Sequence, residues 1–97
     1  MADTDTKIQS RLKAGIEKSH HNDFNGAIQD CHKIIDIRSD IPEVHYILGC
    51  GYFELGQYEN AINAFKEAIK YKPDYPEAHI NCGVIYFEKR DFQRAVE

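Results

Sequence analysis

The fold is decided by residues 44–73, VHYILGCGYFELGQYENAINAFKEAIKYKP. Apolar residues recur in this stretch at steps of three and four, the spacing of one face of a helix, on both sides of a short polar break at 56–57. They are Val44, Leu48, Tyr52 and Leu55 before the break, and Tyr58, Ala61, Ile62, Phe65, Ala68 and Ile69 after it. The two-residue alternation of a strand is not followed. The stretch therefore predicts two amphipathic helices joined by a tight turn.

The same pattern returns at a period of 34 residues. Residues 40–63 and 74–97 are identical at nine of their twenty-four aligned positions. A fainter copy comes earlier in the chain, where Gly15 aligns with Gly49 and Ala27 with Ala61. Self-similarity at a fixed period is the sequence signature of a repeat architecture. The sequence therefore predicts an all-α fold, an α-solenoid of antiparallel helix pairs with two full repeats and a truncated third.

Local signals predict where the helices begin and end. Asp40 before Pro42 is a signal for a helix start, since it places a side-chain acceptor ahead of a residue with a fixed φ. Thr6 with Gln9 forms a similar start signal, and Pro73 is a stop signal. The predicted helices are 7–21, 24–37, 41–54, 58–71 and 75–88, with a stub after Asp91. The predicted organisation is a polar segment at 1–6 and one helical domain at 7–97, with repeats at about 8–41, 42–75 and 76–97, the last of them incomplete.

Small residues recur on the same schedule and predict where helices cross. Two helices approach to about 8–10 Å only where the side chain at the crossing is small. The predicted crossings are Gly49, Gly83, Ala61, Ala68 and Ala95. Large residues beside them fill the remaining space, so each repeat buries one face on itself and another on its neighbour.

Composition excludes several classes of function. The formal net charge of −4 has the wrong sign for a partner such as DNA or RNA. No apolar run approaches the roughly 18 residues of a membrane span, so membrane insertion is not expected. The acidic, polar start MADTDTK lacks the features of a secretory signal, which predicts a cytoplasmic protein. An odd count of three cysteines, at Cys31, Cys50 and Cys82, fits a reducing compartment.

The repeat unit resembles the tetratricopeptide repeat (TPR), a family with a 34-residue period. The second unit matches every signature position except the first aromatic, where His45 stands. The third unit has Cys82 in place of a leucine and Arg90 in place of the turn glycine. In the first unit, Asn22 replaces that glycine and Cys31 replaces a phenylalanine. The resemblance implies a protein-interaction scaffold rather than an enzyme.

The resemblance also implies that the first helix of each pair lines a concave groove that holds a partner. This groove is expected to be apolar in the middle and acidic at its edges. The expected partner is a protein or peptide with an apolar helical or extended segment and basic flanks. The predicted groove residues are Leu12, Ile16, Tyr46, Ile47, Cys50, Phe53, Ile80, Asn81, Val84 and Phe87.

Two alternatives concern how this surface is used. Tyr46, Phe53 and Phe87 can instead fill the interior of the fold. The groove, or the incomplete end of the third repeat, can instead be covered by another copy of the chain or by adjoining repeats of a longer protein, which predicts a homo-oligomer or a structural role. Binding of a peptide's terminal carboxylate, as in chaperone-binding members of the family, is rejected because Glu77 occupies one of the positions where those members carry basic or amide side chains.

The histidines and cysteines do not predict catalysis or metal binding. His45 and His79 lie one repeat apart, where the family places a bulky ring for packing. His20, His21, Cys31 and His32 match no compact zinc-ligand spacing. No base is paired with a cysteine, and no glycine-rich phosphate loop is present. The sequence therefore predicts no catalytic residue, no metal and no cofactor.

Overall fold

The computed structural model describes the backbone of residues 2–96 and the side chains of residues 3–90. In that range it contains only helices, joined by short turns. They are α1 (Ala2–His20), α2 (Phe24–Ile37), α3 (Pro42–Glu54), α4 (Tyr58–Tyr71) and α5 (Pro76–Val96). Each helix packs on the next in chain order, and α1 also contacts α3. The prediction of an all-α stack of helix pairs is confirmed.

The turn inside each of the first two repeats is built in the same way. Asn22 and Gly56 lie 34 residues apart, and both adopt the left-handed conformation, with φ values of 64° and 76°. The amide that follows each of them donates a hydrogen bond back into the preceding helix: Asp23 to the Lys18 carbonyl, and Gln57 to the Tyr52 carbonyl. A left-handed residue at this point lets the chain reverse while the last carbonyls of the helix stay bonded.

The third repeat lacks this turn. The prediction that a helix ends at residue 88 and that a separate stub follows Asp91 is wrong. Helix α5 runs without interruption from Pro76 to Val96. The position equivalent to Asn22 and Gly56 is Arg90, and α5 passes through it. The left-handed conformation costs a residue with a Cβ roughly 1 kcal/mol or more, and arginine is among the better helix formers. The helical conformation therefore continues through the turn position.

Two predicted helix starts also differ from the structure. Helix α1 begins at Ala2, earlier than the predicted start near residue 7, so Thr6 lies inside it. Asp3 and Asp5 fall in its first turn, where negative charge interacts favourably with the helix dipole. The residue that caps α3 is Ile41, which makes no side-chain capping bond, because Asp40 accepts a hydrogen bond from Arg38 Nε at 2.7 Å instead.

Gly49 is a site of close approach between α3 and α4. A Cβ built on Gly49 would lie 2.7 Å from the ring of Phe65, which is completely buried. The equivalent crossing predicted at Gly83 is wrong for the described residues, because a Cβ there would meet nothing within 4 Å. The reason is that no described helix packs on α5 as α4 packs on α3. Ala95, another predicted crossing, lies outside the described side chains.

The buried residues form two clusters that share α3 and α4. One cluster joins α4 to α5 and includes Phe65 and Ile85, with half-buried residues of α3 packed against it. The other joins α1, α2 and α3 and includes Ile34, Val44 and Ala64 of α4. Burial of each large apolar side chain contributes roughly 1.5–3 kcal/mol. Since α3 and α4 take part in both clusters, they couple the two halves of the stack.

An ion-pair triad fixes α1 to α2. Asp30 of α2 is almost fully buried, at 1% exposure. Its carboxylate lies 2.8 Å from Lys18 Nζ and 3.2 Å from Arg11 Nη1, both on α1. Burial opposes ionisation of Asp30, but the hydrogen bonds and positive charges of Lys18 and Arg11 outweigh it and lower the pKa of this carboxyl from 3.8.

Candidate functional site: a groove along three helices

Helices α1, α3 and α5 together form a groove that consists of two adjoining cavities. The α1–α3 cavity has a volume of about 210 Å³ and is lined by Ile16, Ser19, His20, Tyr46, Ile47 and Cys50. The α3–α5 cavity has a volume of about 150 Å³ and is lined by Cys50, Phe53, Glu54, Phe65, Asn81 and Val84. Cys50 lines both cavities, so they form one continuous surface. We refer to these two cavities together as the groove.

The α3–α5 cavity is mainly aromatic and apolar, with a polar edge. The ring of Phe65 lines it because Gly49 lets this ring approach the α3 backbone. Phe53 is half-buried and lies against Tyr58, with 5.7 Å between the ring centroids. Asn81 Nδ2 donates a hydrogen bond to the Tyr46 hydroxyl at 3.2 Å, which ties α5 to α3. The cavity therefore has fixed walls before any partner binds.

The α1–α3 cavity lies next to a hydroxyl with no partner. Ser19 Oγ is buried and has no hydrogen-bond partner among the described residues. Tyr46 forms part of the opposite wall and is held by contacts with the rings of Phe65 and Tyr75. Leaving a buried hydroxyl unpaired costs roughly 1–3 kcal/mol.

The structure brings seven of the ten predicted groove residues to these cavities. Leu12, Ile80 and Phe87 line neither cavity. Leu12 is partly buried and packs against the α1–α3 core cluster. Ile80 and Phe87 stand on α5 with 62% and 66% of their surface exposed. The seven that line a cavity are Ile16, Tyr46, Ile47, Cys50, Phe53, Asn81 and Val84.

Four lining residues are not among the ten predicted ones: Ser19, His20, Glu54 and Phe65. Phe65 belongs to α4 rather than to the helices expected to line the groove. Gly49 in α3 was the available signal, since a glycine at a crossing lets a ring from the paired helix reach past it. His20 comes from the last turn of α1. No spacing rule distinguishes it from the neighbouring His21.

The alternative that aromatic residues fill the interior fits Tyr46 and Phe53 better than Phe87. Tyr46 and Phe53 are half-buried and pack against a core cluster while they also line cavities. Phe87, by contrast, is the most exposed large apolar residue in the described part of the chain. The first two residues therefore take part in both the core and the surface.

Glutamates recur at equivalent positions of α3 and α5, and one of them, Glu54, lines the α3–α5 cavity. Glu43 and Glu54 stand at the two ends of α3, a helix with no lysine or arginine, and Glu77 and Glu88 repeat them on α5. Glu43, Glu54 and Glu77 form no ion pair with the other described side chains. Burial and then the Glu43 charge raise the pKa of Tyr75 to about 12. Burial, and to a smaller extent Glu54, raise the pKa of Cys50.

Cys31, His45 and His79, which the sequence singled out, are occupied by structural contacts. All three cysteines are free thiols. Burial and the nearby Asp30 raise the pKa of Cys31 to about 12, which keeps it protonated. His45 Nε2 donates to the Ser39 carbonyl at 2.7 Å, and His79 Nε2 donates to the Pro73 carbonyl at 2.9 Å. His45 thus ties α3, and His79 ties α5, to the turn before the helix, and the two bonds lie one repeat apart.

Within residues 3–90, no three histidine, cysteine, aspartate or glutamate side chains come together as metal ligands. None of the helices in the described part of the chain combines the length and the apolar character that a bilayer crossing requires.

Residues 51–89 match the model of a family described as the TPR repeat. This stretch of the chain is similar to the tetratricopeptide repeat. This match spans the turn at Gly56, all of α4 and most of α5. The match agrees with two features of the fold: the left-handed turn at Asn22 and Gly56, and the crossing of α3 and α4 at Gly49. No sequence among curated proteins matches the chain significantly.

Solved structures of MamA superimpose well on the chain. A crystal structure of MamA has a TM-score of 0.83 and 26% identity, covering 92% of this chain and 52% of that one. Another crystal structure of MamA protein has a TM-score of 0.81 and 26% identity, covering 90% and 48%. MamA from residue 41 to the end, from Desulfovibrio magneticus, has a TM-score of 0.81 and 19% identity, covering 92% and 50%, a likeness that shows the fold alone. This chain spans about half the length of those solved chains.

Proposed function

We propose that the chain is a non-catalytic interaction module that binds an apolar segment of a partner protein in its groove. The observation that carries the proposal is the pair of adjoining cavities on α1, α3 and α5, which share Cys50 and have fixed, mostly apolar walls. Concave apolar surfaces with a few polar groups are typical of binding sites. The segment is helical or extended, and basic residues flanking it complement the glutamates at the borders of the groove. Free thiols at all three cysteines support a reducing compartment such as the cytoplasm.

Selection of peptides on the whole chain tests this proposal. We expect a random-peptide library to yield binders whose affinity, measured by fluorescence anisotropy, falls about 10-fold or more in Val84→Glu, because this change introduces a charge into the α3–α5 cavity. Ile37→Glu is the matched control, since Ile37 is a similarly exposed residue at the end of α2 and lines neither cavity. Equal binding by the wild type and Val84→Glu would show that the groove is not the site.

A second candidate function is self-assembly through α5. It is favoured by the exposure of Ile80 and Phe87 and by the open space at Gly83, on the helix that no described helix covers as α4 covers α3. Sedimentation equilibrium tests it. Association that rises with concentration and is lost in Phe87→Glu would support a homo-oligomer, whereas a monomer at all concentrations would reject it.

A further inference from the structure

We propose that the α3–α5 cavity takes one aromatic side chain of a peptide, and that an arginine or lysine next to that side chain pairs with Glu54. This inference rests on the proposed function and specifies the partner of the groove. It assigns Glu54 as the residue that selects for basic partners.

The size and the walls of the cavity favour an aromatic ring. Its volume of about 150 Å³ equals that of an apolar cavity known to hold benzene. Phe53 and Phe65 line it, and ring pairs in offset or edge-to-face contact contribute about 0.5–1.5 kcal/mol beyond their burial. Val84 supplies an aliphatic wall on the α5 side. A lysine or glutamate side chain would have to bury its charge against these rings, which is costly.

The polar edge of the same cavity favours a cation beside that ring. Glu54 lines the cavity and forms no ion pair with another described side chain. Glu88 occupies the equivalent position of α5, one repeat away, and accepts a hydrogen bond of 3.0 Å from the Tyr58 hydroxyl. No lysine or arginine of α3 offsets them, because this helix has none. A basic residue of the partner would supply the missing counter-charge at this point.

Asn81 adds a contact to the backbone of the peptide. Its Nδ2 group already donates to Tyr46, while its Oδ1 atom accepts no hydrogen bond from another described group. An amide oxygen accepts up to two hydrogen bonds, so Asn81 Oδ1 can accept one from a peptide N–H group. The cavity therefore offers one site for a ring, one for a cation and one for the backbone between them.

The same charges disfavour a second copy of this groove as the occupant. Two copies that met face to face would bring the glutamates of α3 and α5 of one copy against those of the other. Like charges brought together across an interface cost affinity. The occupant that we propose is therefore a basic segment of a different protein.

The test is the sequence preference of peptides selected from an unbiased library on the whole chain. We expect groove-dependent binders, defined by their loss of affinity in Val84→Glu, to carry phenylalanine, tyrosine or tryptophan next to arginine or lysine. Groove-dependent binders without this pairing would overturn the present inference and leave the proposed function intact. If no selected peptide depends on Val84, the proposed function fails as well. Self-association of the chain that a selected peptide abolishes, measured by sedimentation equilibrium, would identify a second copy as the occupant, and would also overturn the inference.

Substitution of Glu54 provides the second measurement. We expect Glu54→Gln to weaken binding of a selected basic peptide about 2- to 5-fold at low salt, and this difference to disappear at high salt, because the ion pair is exposed to solvent. A version of the peptide with its basic residue replaced by glutamine should not distinguish Glu54→Gln from the wild type. Asp36→Asn on α2 removes the same charge away from the groove and serves as the control. Equal losses in Glu54→Gln and Asp36→Asn would contradict a specific pair.

Discussion

At the scale of single residues, Gly49 and Gly83 occupy the same repeat position in different surroundings. We predict that Gly49→Ala destabilises the chain by about 1–3 kcal/mol, because the new Cβ would lie 2.7 Å from the buried Phe65 ring. Gly83→Ala should stabilise it by about 0.5–1 kcal/mol, since alanine is the better helix former and nothing lies within 4 Å. Urea unfolding monitored by circular dichroism measures both changes.

Whether Gly83→Ala stabilises or destabilises the chain shows whether another surface covers Gly83 in solution. Destabilisation by this change would mean that another surface covers Gly83 in solution, for example a second copy of the chain. The same unfolding curve measured at two protein concentrations separates these cases, because an intermolecular contact makes the stability depend on concentration.

Asp30 gives the chain an acid-sensitive contact. Its pKa is lowered in the folded state, so its stabilising contribution is complete above the unfolded value of 3.8 and is lost as pH falls through the lower folded value. We predict that Asp30→Asn destabilises the protein by about 1–3 kcal/mol at neutral pH, since Lys18 and Arg11 lose a charged acceptor. Urea unfolding from about pH 5 down to about pH 2 should show the difference between wild type and variant shrinking. A difference that stays constant with pH would contradict this assignment.

The sequence could not have predicted the role of Asp30. It lies between Ala27 and Ile34 on the buried face of α2, where a charged residue only weakens the amphipathic pattern. What makes its burial tolerable is the position of Arg11 and Lys18 on another helix, and that position depends on how α1 packs against α2. Gly49, in contrast, could be predicted as a crossing, because its partner belongs to the same repeat.

At the scale of helices, one residue decides whether a repeat closes. Arg90 stands where Asn22 and Gly56 form the left-handed turn, and α5 continues through it. We predict that Arg90→Gly weakens the helix around residue 90, since glycine disfavours a helix interior by about 1 kcal/mol and tolerates positive φ. Faster amide hydrogen exchange at residues 88–93 in the variant would show this. Unchanged exchange there would mean that a residue other than Arg90 keeps α5 continuous.

Gly56 allows the reverse test of the same principle. We predict that Gly56→Ala destabilises the chain by about 1 kcal/mol, because its φ of 76° is strained for any residue with a Cβ, although nothing lies within 4 Å. Gly56→Asn is the control, since Asn22 already adopts this conformation in the first repeat. The midpoint temperature of thermal unfolding should be highest for the wild type, lower for Gly56→Asn and lowest for Gly56→Ala.

The helices that line the groove could be predicted from the sequence, but its depth could not. The 34-residue period places Ile16, Cys50 and Val84 at equivalent positions of α1, α3 and α5. Whether such residues lie in a cavity or on an open surface depends on the neighbouring helix. Phe65 reaches the groove from α4, whereas Ile80 is left exposed because no described helix packs over it.

At the scale of the whole molecule, the two core clusters predict an uneven distribution of stability. Helices α3 and α4 take part in both clusters, whereas α1 belongs to one cluster and α5 to the other. We expect amide hydrogen exchange to be slowest in α3 and α4 and faster towards either end, because the outer helices can open without disrupting both clusters. Uniform protection from α1 to α5 would instead indicate a single cooperative unit.

The paired bonds of His45 and His79 have a consequence for evolution and for engineering. Each joins the first helix of a repeat to the turn before it, so a histidine links successive repeats at two equivalent places. Tandem duplication of a coding segment that spans one period would create a junction of a kind that the chain already forms. Proteins of this type can therefore lengthen by copying, with each new unit adding one more helix to the row that lines the groove.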